Sequence, residues 1–202
     1  MSRRFAQLAF SPAVRRHQHE HGSDRAYGRM LEGPAAADPI GPAEAEFIAE
    51  RDSFYLATVG ENGWPYIQHR GGPAGFLKVL GEHTLGFADL RGNRQYITRG
   101  NLDHDDRVSL FLMDYAHRTR LKILGRARAV EDDPGLLAAL TAEGSPGRPE
   151  RALIVDVEGF DWNCPQHIPQ LFPRDAVEQA LGTLRTRVEE LERENARLRA
   201  AG

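Results

Sequence analysis

Apolar and polar residues alternate in short bursts along most of this 202-residue chain, and bursts with a period of two predict strands. Phe54-Tyr-Leu-Ala-Thr-Val59 is rich in aromatic and β-branched residues and stops at the turn Gly60-Glu-Asn-Gly63. Trp64 to His69 is expected as its return strand, Phe76 to Leu80 as the next, and Thr84 to Ala88 after a turn at Gly81-Glu82. Arg107 to Met113 and Arg120 to Val130 follow, joined by a polar turn around Tyr115 to Arg118. In Arg151 to Glu158, Leu153, Val155 and Val157 alternate with Ile154, Asp156 and Glu158. Short strands at close spacing predict a barrel or meander, not a doubly wound sheet.

Elsewhere the period lengthens. Ala43 to Arg51 predicts a short helix, and Asn93 to Leu102 a second, with Asn93 as N-cap and Asp103-His-Asp-Asp106 as its polar exit. Pro134 and Gly144 bracket a third. From Arg174 to Ala200, Val177, Leu184, Leu191 and Leu198 recur every seven residues, with Leu181, Val188 and Asn195 at the alternate spacing, which is a heptad seam. With the first set at d and the second at a, Arg187 meets Glu192, and Glu194 meets Arg199, across a parallel pair. The other expectation for this segment is an amphipathic helix packed on its own barrel. Gly22, Gly28, Gly33, Pro34 and Pro39 mark the first residues as an arm laid over a body. The expected boundaries are therefore an arm over 1–42, a body over 43–173 and a heptad helix over 174–202.

Composition narrows the partners. A formal charge of −3 gives no global attraction to nucleic acid or to an anionic membrane, so a basic site must be local. The one cysteine, Cys164, excludes an internal disulfide and any CxxC zinc pair, which suits a reducing cytoplasm. Behind Arg3 and Arg4 come Arg15, Arg16, His17 and Glu20 instead of an apolar run, so neither a signal peptide nor a membrane span is expected. His17, His19 and His21 are expected in solvent, and no metal site is predicted.

Candidate chemistry concentrates in Gly63 to Lys78 and Phe87 to Gln95, where strand-like segments end in arginine and glycine. Arg70 and Arg94 carry guanidinium forks that bind phosphate bidentately and stay charged at any working pH. Asn93 and Gln95 add amides, the start of the helix they open adds backbone N–H groups, and Gly71-Gly72 would let backbone approach a flat ligand. The alternative is that the arginines form surface ion pairs and the glycines only turn the chain. No GxGxxG or P-loop follows a strand.

Residues Phe54 to Val130 resemble the pyridoxamine 5′-phosphate oxidase-like family of FMN-binding split barrels. Pro65-Tyr-Ile-Gln-His-Arg70 resembles the second barrel strand with its basic phosphate ligand, and Phe87-Ala88 the strand passing under the flavin. Arg91-Gly-Asn-Arg-Gln95 resembles the basic helix-start motif, and Arg120 to Ala127 a long strand whose first residue reaches the partner's flavin. The resemblance implies a mainly β fold, a six-stranded split barrel with flanking helices, FMN as cofactor, and a homodimer with two interfacial sites. Gln68, His69, Arg70, Gly71, Phe87, Ala88, Asn93, Arg94, Gln95 and Arg120 are then the expected flavin contacts. Arg94 stands where the oxidase proper has lysine, and the Arg-Leu-His triplet of its C-terminal substrate motif is missing, so the resemblance implies a broader FMN-binding member. In place of that ending, Phe160 to Ile168 offers Trp162 to stack on or wall off the ring, and Asn163, Gln166 and His167 to hydrogen-bond its edge or a substrate. A barrel-capping loop with a buried Trp162 is the alternative. The expected activity is FMN-dependent oxidoreduction with a nicotinamide or organic hydride donor. The rival expectations are a non-catalytic protein for FMN, haem or another planar ligand, and a dimerising scaffold whose tail recruits another protein.

Overall fold

The computed structural model of the chain describes residues 1–162 and 165–200. Its alternating segments form β1 (Ser53–Val59), β2 (Pro65–Gly71), β3 (Lys78–Gly81), β4 (Thr84–Leu90), β5 (Arg107–Asp114), β6 (Thr119–Val130) and β7 (Pro149–Trp162). All pair antiparallel in one sheet, in the order β2-β1-β5-β6-β7-β4-β3. The seven strands are those the alternation predicts, one more than the six-stranded barrel that the resemblance implies, and short β3 pairs with β4 across a register shift between Val79 and Gly81. Phe76 and Leu77, expected inside that strand, precede it and drop into the core.

Alternation sets the core. Phe54, Leu56 and Thr58 of β1 point inward while Tyr55 is exposed, and β5 and β6 repeat the pattern. The sheet curls over this core: Phe54 of β1 and Phe87 of β4, four places apart in the strand order, have ring centroids 5.2 Å apart. Phe76 stacks on Phe54 at 5.5 Å. β7 is buried continuously from Arg151 to Val155, because Leu153 and Val155 face the core while Ala152 and Ile154 meet Leu140 of α6 (Pro134–Leu140).

Helix α4 (Pro42–Ala49) starts on Pro42, with the Gly41 N–H donating to Glu44 Oε2 at 3.0 Å, and buries Phe47 and Ile48. The N-terminal arm carries α1 (Arg3–Ala9), α2 (Pro12–Glu20), α3 (Asp24–Gly28) and a 3-10 turn at Arg29–Leu31. Helix α1 is docked on β7. It buries Phe5 and Ala6, the Ser2 N–H donates to Phe160 O at 3.2 Å, and Arg4 pairs with Glu158 at 2.5 Å. Gly159 permits that contact: a Cβ there would lie 2.6 Å from the Phe5 nitrogen.

Helix α5 (Ile97–His104) begins later than the expected start at Asn93. Arg94 (φ 61°) and Tyr96 (φ 53°) occupy the left-handed region, which a helix cannot contain. The backbone N–H groups expected beside Asn93, Arg94 and Gln95 are therefore not a helix start.

The contacts divide the chain into one unit of Met1–Asp114 with Thr119–Pro165, and another of Tyr115–Arg118 with Gln166–Gly202. In the second, Gln170 Nε2 donates to Ala116 O at 2.8 Å, and α7 (Arg174–Ala200) buries none of its residues. Among the described residues no helix is long and apolar enough to cross a membrane.

Candidate functional site

Strand alternation sends Tyr66, Gln68 and Arg70 of β2 to one face, where they line a cavity of about 60 Å³. Asp89 and Leu90 of β4, the turn from Gly92 to Tyr96, Ile97 to Arg99 of α5, and Glu150 and Arg151 of β7 complete it. Arg70 and Arg94 thus share one cavity. Its volume suits roughly four waters, the size of a tetrahedral oxyanion.

Asp89 is the cavity's electrostatic centre. It accepts from Arg70 Nη1 at 2.5 Å and from Arg151 Nη1 at 3.2 Å. Both arginine side chains are nearly buried, at 12% and 11% exposure, so each needs a carboxylate partner. Arg151 also reaches Glu150 at 3.3 Å and lies 3.2 Å from Glu131, which accepts from Arg99 at 3.0 Å. The Nε of Arg70 and of Arg151 are buried without hydrogen-bond acceptors; the Glu131 contact is close in charge but misaligned for a bond.

Arg94 differs. Its side chain is in solvent, where Nε donates to the Tyr96 hydroxyl at 3.2 Å. That bond, with a smaller contribution from the Glu150 carboxylate, raises its pKa above the ordinary guanidinium value. The Tyr96 ring in turn lies 5.3 Å beneath the Arg151 guanidinium. Asn93 Oδ1 accepts the Gln95 N–H at 3.3 Å, an Asx turn that fixes the loop and occupies that donor. Gln68 Oε1 accepts from Thr98 at 2.8 Å, and Asn101 donates to Thr58 at 2.9 Å, which ties α5 to the sheet. The arrangement is one exposed guanidinium over two buried, carboxylate-linked ones, and it can bind a small oxyanion.

Other expected contacts lie elsewhere. His69 and Gly71 occupy the opposite face of β2, with the His69 ring 5.6 Å from that of Tyr55. Gly71 and Gly72 serve chain packing, since added Cβ atoms would lie 3.0 Å from His69 and 2.8 Å from Phe76. Phe87 belongs to the core and Ala88 packs with the Leu140 cluster. Arg120 lies 6.0 Å over the Phe111 ring, outside the cavity, and its Nε is buried without an acceptor. Trp162 ends β7, donating to Glu44 Oε1 at 2.7 Å with its ring 4.8 Å from Phe47. Asn163 lies outside the described residues, and Gln166 and His167 belong to the second unit. His17 pairs with Glu20 at 3.1 Å and His19 with Asp24 at 2.8 Å. Among the described residues no cluster suits a metal.

Sequence reasoning missed Asp89, Tyr96, Thr98, Glu150 and Arg151. A signal existed for two of them: Asp89 stands two residues after core Phe87 and Arg151 two before core Leu153, so alternation turns both inward, where each charge needs the other.

A sequence model of the family described as pyridoxamine 5′-phosphate oxidase matches residues 40–158. No curated protein sequence matches. Among solved structures, HupZ from Group A Streptococcus is 17% identical, with 66% of this chain and 99% of that chain covered and a TM-score of 0.51. An FMN-binding protein from Syntrophomonas wolfei subsp. wolfei is 14% identical over 75% of this chain and 95% of that one, with a TM-score of 0.49. The heme storage protein HutZ from Vibrio cholerae is 18% identical over 61% and 94%, with a TM-score of 0.42. At 17% identity, the likeness to HupZ is one of fold.

Proposed function

This chain belongs to the pyridoxamine 5′-phosphate oxidase family, and from that premise we propose that it is a cytoplasmic, homodimeric FMN-dependent oxidoreductase built on a split barrel. The observation that carries the reading is the oxyanion-sized cavity into which Arg70, Arg94 and Arg151 converge. Its donor set fits a phosphate monoester: Arg94 is unclaimed by any carboxylate among the described residues, and two buried guanidinium Nε atoms lack acceptors.

Arg94 captures the phosphate, while Arg70 and Arg151, held by Asp89, supply a fixed positive floor. Gln68, oriented by Thr98, is placed for a neutral hydrogen bond at the rim. When bound, the flavin supplies two-electron chemistry with a nicotinamide or organic hydride donor. Pairing through the outer face of β2 and β1 fits the apolar Ile67 and Tyr55, exposed by 66% and 39%.

Absorption spectroscopy of the purified protein, followed by FMN titration, tests the reading. Flavin bands or saturable FMN binding, weakened by Arg94→Ala, are the expected result; a colourless protein that ignores added FMN overturns it. One observation favours a second reading, binding or sensing of FMN, haem or another planar ligand without turnover. Both carboxylates lining the cavity, Asp89 and Glu150, are already held by arginines, which leaves neither as a ready general acid or base. Stable binding without NAD(P)H turnover would select that reading.

A further inference from the structure

We propose that α7 is one strand of a parallel, in-register, two-stranded coiled coil completed by a second copy of this chain. At 27 residues the helix is roughly 40 Å long. Its apolar residues form one stripe, and all stand in solvent, from Val177 at 43% exposure to Leu198 at 69%. Residues at this spacing on an isolated helix gain nothing in water, whereas a facing stripe of the same kind buries them.

The chain's own charges select the occupant. In a parallel pair, Arg187 meets Glu192 of the partner subunit and Glu194 meets Arg199 of the partner subunit, and symmetry repeats both pairs. Arg187 now holds Glu190 within its own helix at 2.9 Å, an exposed pair that costs little to exchange. Asn195 selects direction. Parallel alignment sets it against Asn195 of the partner subunit, where the two amides satisfy each other, whereas antiparallel alignment sets a against d and leaves an amide facing an apolar residue. Val188 at a with leucine at d favours two strands over three. Gly182 falls at b, outside the seam, and nothing lies within 4 Å of where its Cβ would be.

A seam this short is marginal alone, and pairing through the β2–β1 face raises the effective concentration of one helix at the other. The inference rests on that dimer, but not on flavin binding. The test uses the full chain with Cys164→Ser and a single new cysteine, at seam position Leu198→Cys or at outward position Arg193→Cys, under mild oxidation. Parallel pairing predicts covalent dimers about tenfold faster from Leu198→Cys, while an antiparallel pair would hold the two sites roughly 30 Å apart. Adding Leu184→Glu and Leu191→Glu should abolish the difference. Sedimentation of the unoxidised protein separates the ways to fail: a dimer with equal or no linking overturns the coiled coil alone, and a monomer without linking overturns the sheet-face dimer as well.

Discussion

Arg70 stands on a strand at 12% exposure with Asp89 at 2.5 Å, whereas Arg94, across the same cavity, stands in a left-handed turn with a phenol at 3.2 Å. From residue type alone the two are interchangeable. Burial separates them, because a desolvated guanidinium must be matched by a carboxylate and an exposed one need not be. The buried arginine therefore contributes mainly to the fold, and the exposed one keeps its charge available to a ligand.

Asp89→Ala is the strongest attack on this division. It strands Arg70, while Arg151 keeps Glu150, and should cost about 3–5 kcal/mol in urea unfolding; a cost within about 0.5 kcal/mol, the usual range for surface changes, would show that the network is not structural. Arg70→Ala leaves Asp89 with Arg151, so a smaller loss of about 1–3 kcal/mol is expected, together with weaker FMN binding. Arg94→Ala should leave the unfolding midpoint nearly unchanged while raising the FMN dissociation constant about 10- to 100-fold. The reverse order, with Arg70 governing affinity and Arg94 stability, would sink the comparison.

The Arg4–Glu158 pair sharpens it at intermediate exposure, 20% and 26%. The Arg4 hydrogen bond holds the Glu158 pKa below its ordinary value, with a lesser contribution from Arg126. A lowered folded pKa means the stabilisation is complete above about pH 4.3, the ordinary glutamate value, and fades as the pH falls through the folded value. Hydrogen exchange of α1 should accelerate in that acid window, and Glu158→Gln should flatten the dependence. Tyr96→Phe is the mildest change: Arg94 loses its hydrogen bond to the Tyr96 hydroxyl, and titration calorimetry should find FMN affinity reduced by about two- to threefold.

The sheet was legible because Phe54, Leu56 and Thr58, or Leu153, Val155 and Val157, repeat with the period of a pleated strand. Arg70 and Arg94 could be read as partners because each ends a strand-like run with glycine nearby. The helix start at Asn93 misled, since neither Arg94 nor Tyr96 advertises a left-handed backbone as glycine would. His69 faces away from Arg70, because proximity in sequence is separation in a strand, where neighbours face opposite ways. The bond of Trp162 to Glu44, 118 residues away, could not be inferred from local pattern.

The docking of α1 against Gly159 also has a temporal side. Residues 3–9 leave the ribosome well before residues 149–162, yet the surface that covers Phe5 and Ala6 belongs to β7. At about 5–20 residues per second, the arm waits on the order of ten to thirty seconds for its binding surface. During that interval its apolar side chains are open to chaperones, and α1 is sealed only once β7 has been made.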